Sequence, residues 1–422
     1  MIVAETELSQ EMLTEVAHLL DFGAGARLPH GGFGWLDTTG VPMPGRPRML
    51  YVTCRMTHTY ALGALAGHRG ATEMARHGIA AINDVFRDDD HGGWFTAVDE
   101  TTAEPVQPNK WAYPHSFVVL AASSATIAGV RGARVLLAEA LAVFTERFWD
   151  ETQGAPVEEW DRTFTTLSPY RGANSAMHAV EALLAATDAT GDGRWAQKAH
   201  RISERMVVAA RDHEWRLPEH YDEQWQPDLE HSADQREDPF KPYGATPGHS
   251  FEWARLLVHL GQGDADLNAA AEQLFHRAVT DAWAVDGEQG FVYTVDWQGE
   301  PIVRNRLHWV LCEALAAASV LGQTTQLLEY PTWLQRWWRY AGEHHIDTVG
   351  GSWHHELGPD LRPSTRIRPG KADIYHAVQA CLLPVLPPAR SLAGALAGTS
   401  VHLPEPPARG RWRGRGATDG QQ

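Results

Sequence analysis

Residues 92–99 read GGWFTAVD: a tight glycine turn, a run of apolar and aromatic residues, then an acid. Variants return as GGFGWLD from Gly31, GAPVEEWD from Gly154, WRLPEHYD from Trp215, GFVYTVD from Gly290 and GGSWHHELG from Gly350. The starts at 31, 92, 154, 215, 290 and 350 leave intervals of 61, 62, 61, 75 and 60 residues. A period this regular marks a repeat architecture in which each unit is one supersecondary element.

Between these segments the pattern is helical. Leu267, Ala271, Leu274, Phe275, Ala278 and Ala282 follow one face of a 3.6-residue period, and Trp195, Ala199, Ile202 and Met206 do the same earlier. Residues 175–186 and 311–321 are instead small and apolar nearly all round, so they must be buried on every side. One-sided and all-round helices alternate, which predicts twelve helices as six hairpins. The closed arrangement is an all-α (α/α)6 barrel over residues 1–388, with the repeated segments as short β-hairpins or loops at one end. An open solenoid would leave the apolar inner helices exposed. Residues 389–422 are rich in Pro, Gly and Arg, lack periodicity and are expected to be a disordered tail.

Composition narrows the function. With 43% apolar and 21% charged residues, the 422-residue chain can bury a large core. Its net charge is −17, and discounting five Arg, Glu405 and Asp419 beyond Pro388 leaves −20 on the rest. Such a body repels polyanions, so nucleic-acid binding is excluded as the main role. Cys54, Cys312 and Cys381 are odd in number and far apart, which suits a reducing cytoplasm. The N-terminus has no basic start followed by an apolar core, and the longest quiet apolar stretch, 116–130, is too short to span a bilayer. A cytoplasmic protein without a membrane partner is expected. The 17 Trp serve both cores and the faces of sugars, whereas 4 Lys against 32 Arg carries little functional meaning.

The starts of the six inner helices offer Arg55 and His58, Tyr113 and His115, Asn174 and His178, His249 and Glu252, Trp309 and Glu313, Asp373 and His376. Converging on one mouth, they would build a concave polar site. In TPGHSFEW, Thr246 suits an N-cap and Pro247 the first helical position. His249 then lies in the first turn, with Glu252 three residues on and facing the same side. The helix N-terminus keeps His249 neutral, and a carboxylate fixes its tautomer. His178 follows Asn174 by four residues, and Glu313 follows Trp309 by four as a buried carboxylate that needs a partner. His376 starts the last buried helix, and Arg55 can position a ligand hydroxyl. His344-His345 and His354-His355-Glu356 are adjacent residues whose side chains diverge, and no HExxH occurs, so no metal is expected. No cofactor-binding phosphate loop or GxSxG nucleophile is present either. Two histidines with two carboxylates suit proton transfer beside a carbonyl, through an enediol. A glycoside hydrolase using Glu252 and Glu313 and a non-catalytic sugar-binding protein are the alternatives.

The motifs RMTHTY, RGANSAMHAVEALLA, KPYGATPGHSFEWARLL, RLHWVLCEA and GKADIYHAVQA resemble those of the N-acylglucosamine 2-epimerase superfamily, in order from about residue 10 to 388. The branch most similar is that of the aldose–ketose isomerases acting on mannose or sulfoquinovose. The resemblance implies an (α/α)6 barrel and metal-free histidine chemistry on a monosaccharide, and leaves the oligomeric state open. It implies His249 and His376 as the acid/base pair, with Glu252 and Glu313 holding their rings. Arg55, Tyr113, Asn174, His178 and Trp309 match positions around the sugar. The 2-epimerase branches tend to carry Trp-Trp where this chain has His308-Trp309, which favours isomerisation over 2-epimerisation. A sulfonated sugar would want fixed cations at the mouth, where the motifs supply Arg55, with Lys241, Lys371 and the arginines of 362–368 as additions. The expected reaction is therefore D-mannose to D-fructose, with D-lyxose to D-xylulose as a secondary pair.

Overall fold

The computed structural model describes residues 2–238 and 240–406, with side chains from Glu7 onward. Its helices are α1 (Ile2–Gly23), α2 (Leu50–Leu65), α3 (Ala71–Asp84), α4 (Ala112–Ile127), α5 (Ala133–Val143) and α6 (Ala173–Thr190). They continue as α7 (Arg194–Asp212), α8 (Pro247–Gly261), α9 (Ala265–Ala282), α10 (His308–Thr325), α11 (Glu329–Tyr340), α12 (Tyr375–Leu382) and α13 (Leu392–Ala397).

The even-numbered helices form the inner ring. Each packs on the next, from α2 through α4, α6, α8 and α10 to α12, and α12 returns to α2. This is the closed (α/α)6 barrel. The periodicity explains the layering: residues 112–125 of α4 are buried apart from Tyr113, whereas α7 buries only one stripe, Ala199, Ile202, Ser203, Met206, Val207 and Ala210. Five of the six pairs are consecutive hairpins. The sixth joins chain ends, because α1 packs against α12 and α2.

The repeated segments have one shared task. Just before each inner helix, a residue or two pairs antiparallel with the segment of the following repeat. Arg48–Met49 pairs with Ala97–Val98, Lys110–Trp111 with Glu159–Trp160, and Arg171–Gly172 with His220–Tyr221. Ala245 bridges Val295, Arg306–Leu307 pairs with Glu356–Leu357, and Lys371 bridges back to Leu36. The acid ending the segment is a turn device: the Oδ1 atoms of Asp37, Asp99, Asp161, Asp222 and Asp296 each accept a backbone N–H two to four residues on. Carbonyls of these loops also cap the helices, since Thr96, Glu158, Glu219 and His355 accept the first N–H of α2, α4, α6 and α10.

The expected disordered tail is corrected in its first part. Ser391 caps α13 through Gly394 N–H, and Leu392, Ala393, Ala395 and Leu396 are buried where α13 contacts α2, α4 and α6. Four apolar residues in SLAGALA form this patch, which the Pro- and Gly-rich average of the segment conceals. The RG-rich end, residues 408–422, lies outside the described residues. No disulfide joins the three cysteines, all buried. Among the described residues, no helix is long and apolar enough to cross a membrane.

Candidate active site

The loop end of the barrel opens into a cavity of about 750 Å³, counted out to its mouth. Its wall includes Arg55 from α2, Tyr113 from α4, Asn174 and His178 from α6, His249 and Glu252 from α8, Trp309 from α10 and His376 from α12. Eight of the nine expected site residues therefore meet. The ninth, Glu313, does not reach the wall and stands behind His376, whose Nδ1 lies 2.8 Å from its carboxylate.

Two histidines share one geometry. Nδ1 of His249 lies 2.9 and 3.0 Å from the oxygens of Glu219, and Nδ1 of His376 faces Glu313. In each, the carboxylate accepts the Nδ1 proton and leaves Nε2 as the ring nitrogen available to the cavity. The Trp309 indole stands between them, 5.1 Å from the His249 ring and 5.8 Å from the His376 ring. Gly248 makes that placement possible, because a Cβ there would come within 2.5 Å of the indole. Burial holds His376 below the usual imidazole range against the pull of Glu313, so the ring is neutral at neutral pH. Burial alone would raise Glu313; the Arg255 charge and the His376 hydrogen bond outweigh it and keep Glu313 ionised.

A family model described as N-acylglucosamine 2-epimerase matches residues 31–380, which hold all of these groups. The chain belongs to the N-acylglucosamine 2-epimerase family. Within it, the chain is 50% identical over 391 residues to a D-mannose isomerase of Thermobifida fusca, covering 91% of this chain and 95% of that protein. It is 44% identical over 398 residues to a D-mannose isomerase of Pseudomonas cannabina pv. alisalensis, covering 92% and 95%. A crystal structure of D-mannose isomerase superposes with a TM-score of 0.83 at 25% identity, covering 89% of this chain and 97% of that one.

Other expectations about this family site are revised by the side-chain geometry. Glu252 does not hold His249; its Oε1 faces Arg255 at 3.3 Å and His178 at 3.7 Å. Side chains lean toward the N-terminus of their helix, so His249 reaches up to the loop layer, where Glu219 waits. Thr246 sits at the N-cap position, but its hydroxyl has no partner. His115 and His58 turn away from the cavity. His115 Nε2 accepts the Trp94 N–H, and His58 Nδ1 meets Ser124 Oγ at 2.7 Å. Lys371 is buried against Asp347 at 2.7 Å, and Lys241 lies over the Tyr170 ring, so neither lines the wall. Of the cations considered, only Arg55 and Arg368 line it.

Glu219, His308, His355, Tyr51 and Tyr293 complete the site and were missed as site residues, together with Asp373 and Arg368, which the helix starts and the arginines of 362–368 had offered. The repeat contains a signal for three of them. Glu219, Tyr293 and His355 each stand three residues before the end of their repeated segment, at Asp222, Asp296 and Gly358. Arg55 donates to Asp373 at 3.3 Å and to Tyr113 Oη at 2.8 Å. Burial disfavours its charge, but Tyr113 and Asp373 more than restore it. His354 and His355 diverge as expected: His354 faces Asp347 at 3.6 Å, while His355 stacks on His308 with centroids 3.9 Å apart. Burial pushes His355 down to about 3 and, with the neighbouring imidazoles, puts His308 far below its usual range. Asn174 Oδ1 is buried without a protein partner on the cavity wall, an acceptor suited to a ligand hydroxyl.

Two triads bring metal-ligand atoms within 4.8 Å of one another: His178, Glu181 and Glu252, and Glu252, Glu313 and His376. The Arg255 guanidinium already lies among these carboxylates, 3.0 Å from Glu313, 3.3 Å from Glu252 and 3.6 Å from Glu181. A side chain thus supplies the cation of this cluster.

Proposed function

We propose that this protein is an aldose–ketose isomerase that interconverts D-mannose and D-fructose, with D-lyxose and D-xylulose as a second pair. The observation that carries the reading is the paired stations, two carboxylate-held imidazoles facing one cavity across an indole. The relatives named D-mannose isomerase support the choice of sugar.

In this reading the open-chain aldose lies with C1 and C2 between His249 and His376. Arg55 and Asn174 hold hydroxyl groups, and Trp309 packs against the apolar face of the chain. Neutral His376 takes the C2 proton, and anionic Glu313 stabilises the imidazolium that results. His249 exchanges protons with the sugar oxygens. His249 Nε2 takes the proton of the C2 hydroxyl and passes it to the carbonyl oxygen on C1 as the enediol forms, and the proton held by His376 returns at C1 to give the ketose. Apart from these C–H and O–H bonds, only the bond orders along O–C1–C2–O shift, moving the carbonyl from C1 to C2.

A glycoside hydrolase is disfavoured by the same geometry. Its two carboxylates would have to flank the scissile bond, but Glu313 is sealed behind His376. A sulfonated sugar would find one further wall cation, Arg368, because Arg55 is committed to Asp373.

The test is proton NMR of mannose with the protein in D2O and a chelator present. Fructose is the expected product. Glucose would move the chain to 2-epimerisation, and an unchanged mannose spectrum with bound sugar would leave a binding protein.

A further inference from the structure

Beneath the two stations, Glu181, Glu252 and Glu313 surround Arg255, and all four are buried. Three carboxylates around one guanidinium leave two negative charges in excess. Arg55, the other cation whose charge acts on Glu252, is paired with Asp373. Ionised carboxylates in such a setting must be matched by donors, and the donors are distributed unevenly. Glu181 accepts from the Tyr375 hydroxyl, from Gln379 at 3.2 Å and from His178 Nδ1 at 3.4 Å. Glu313 accepts from His376 Nδ1 at 2.8 Å and Arg255 Nε at 3.0 Å. Glu252 has Arg255 Nη2 at 3.3 Å and His178 at 3.7 Å. It is the poorest in donors of the three, and it alone of them lines the cavity.

We propose that Glu252 meets the sugar as a neutral carboxylic acid. Its O–H donates a hydrogen bond to the sugar oxygen that gains charge as the enediol forms, and Glu181 and Glu313 are the positioning residues that keep the proton there against the pull of Arg255. The proton stays on Glu252 throughout, and the hydrogen bond strengthens as the oxygen becomes more negative. Burial and the charge of Glu313 act in the same direction, raising Glu252 well above the carboxylate range. Around it, His178 and Glu181 lie on α6, Glu313 on α10, His376 and Tyr375 on α12 and Tyr113 on α4; Glu181 and Glu313 are held ionised, and with burial they outweigh Arg255 on α8 and Arg55 on α2, which pull the other way.

The catalytic half of this proposal rests on the isomerase reading; the protonation half does not, and it is read without sugar. Infrared spectroscopy of the full chain at neutral pH is expected to show the carbonyl stretch of a protonated carboxylic acid. The band should shift in D2O and disappear in Glu252→Gln. No such band, or one that survives in Glu252→Gln, overturns the proposal whatever the enzyme's substrate. In turnover, Glu252→Gln keeps a donor and is expected to cost about tenfold in kcat, whereas Glu252→Ala costs about 10³-fold. Equal losses in the two variants, with circular dichroism unchanged, overturn the hydrogen-bond role.

Discussion

The two histidine stations have the same local chemistry but different foundations. His249 is held by Glu219, a residue of the loop layer that bonds nothing else in the barrel interior through its side chain among the described contacts. His376 is held by Glu313, whose other oxygen accepts from Arg255 and so joins a buried charge cluster spanning three inner helices. One station is tuned by a loop, the other by the barrel. Identical first contacts therefore do not imply equal coupling to the rest of the molecule.

The hardest test of this comparison removes each ring in turn. His376→Ala and His249→Ala are both expected to reduce kcat/KM by about 10³-fold or more with the fold intact. Measurable mannose turnover near the wild-type rate in either variant would break the pairing. Next come the supports. Glu313→Gln is expected to lose about 10²-fold and to lose stability as well, because it strips a partner from buried Arg255. Glu313 raises His376, so its removal lowers that group further, and the acidic limb of the kcat/KM profile should move to lower pH. Glu219→Gln is expected to cost about tenfold and to leave that limb, which belongs to His376, where it was. A shift of the limb in both variants would erase the distinction between loop and barrel. The smallest expected effect is Gly248→Ala. It pushes on the indole between the stations and should cost about 1–3 kcal/mol of stability by overpacking, read from urea unfolding.

The same contrast separates what could be read along the chain from what could not. Barrel helices announce themselves because burial writes a local period, as in residues 175–186 against the stripe of Ala199, Ile202 and Met206. His249, His376, Trp309 and Asn174 were legible because each occupies the start of such a helix. Glu219 was not, since thirty residues of loop and turn separate it from His249 and only the tertiary pairing of Arg171–Gly172 with His220–Tyr221 sets its position. Assigning Glu252 to His249 followed the i,i+3 rule on one helix, which says who is near but not which way the ring leans. The acids that end the repeated segments are turn residues, a role the repeat alone did not state. The tail segment around α13 hid its apolar patch behind an average.

The ring closes through contacts between distant parts of the chain: α1 against α12, and Leu36 against Lys371. That has a kinetic consequence. The five consecutive hairpins can form as soon as each is made, as an open arc with local contacts. The last seam joins residues more than 300 positions apart and carries the full entropy of closing that loop. Until it forms, the inner helices at both ends of the arc expose apolar faces, the state in which a chain of this size aggregates. The cavity exists only after closure, because Arg55 and Asp373 lie on opposite sides of that seam. A sugar that bridges them would act as a late clamp on folding as well as a substrate.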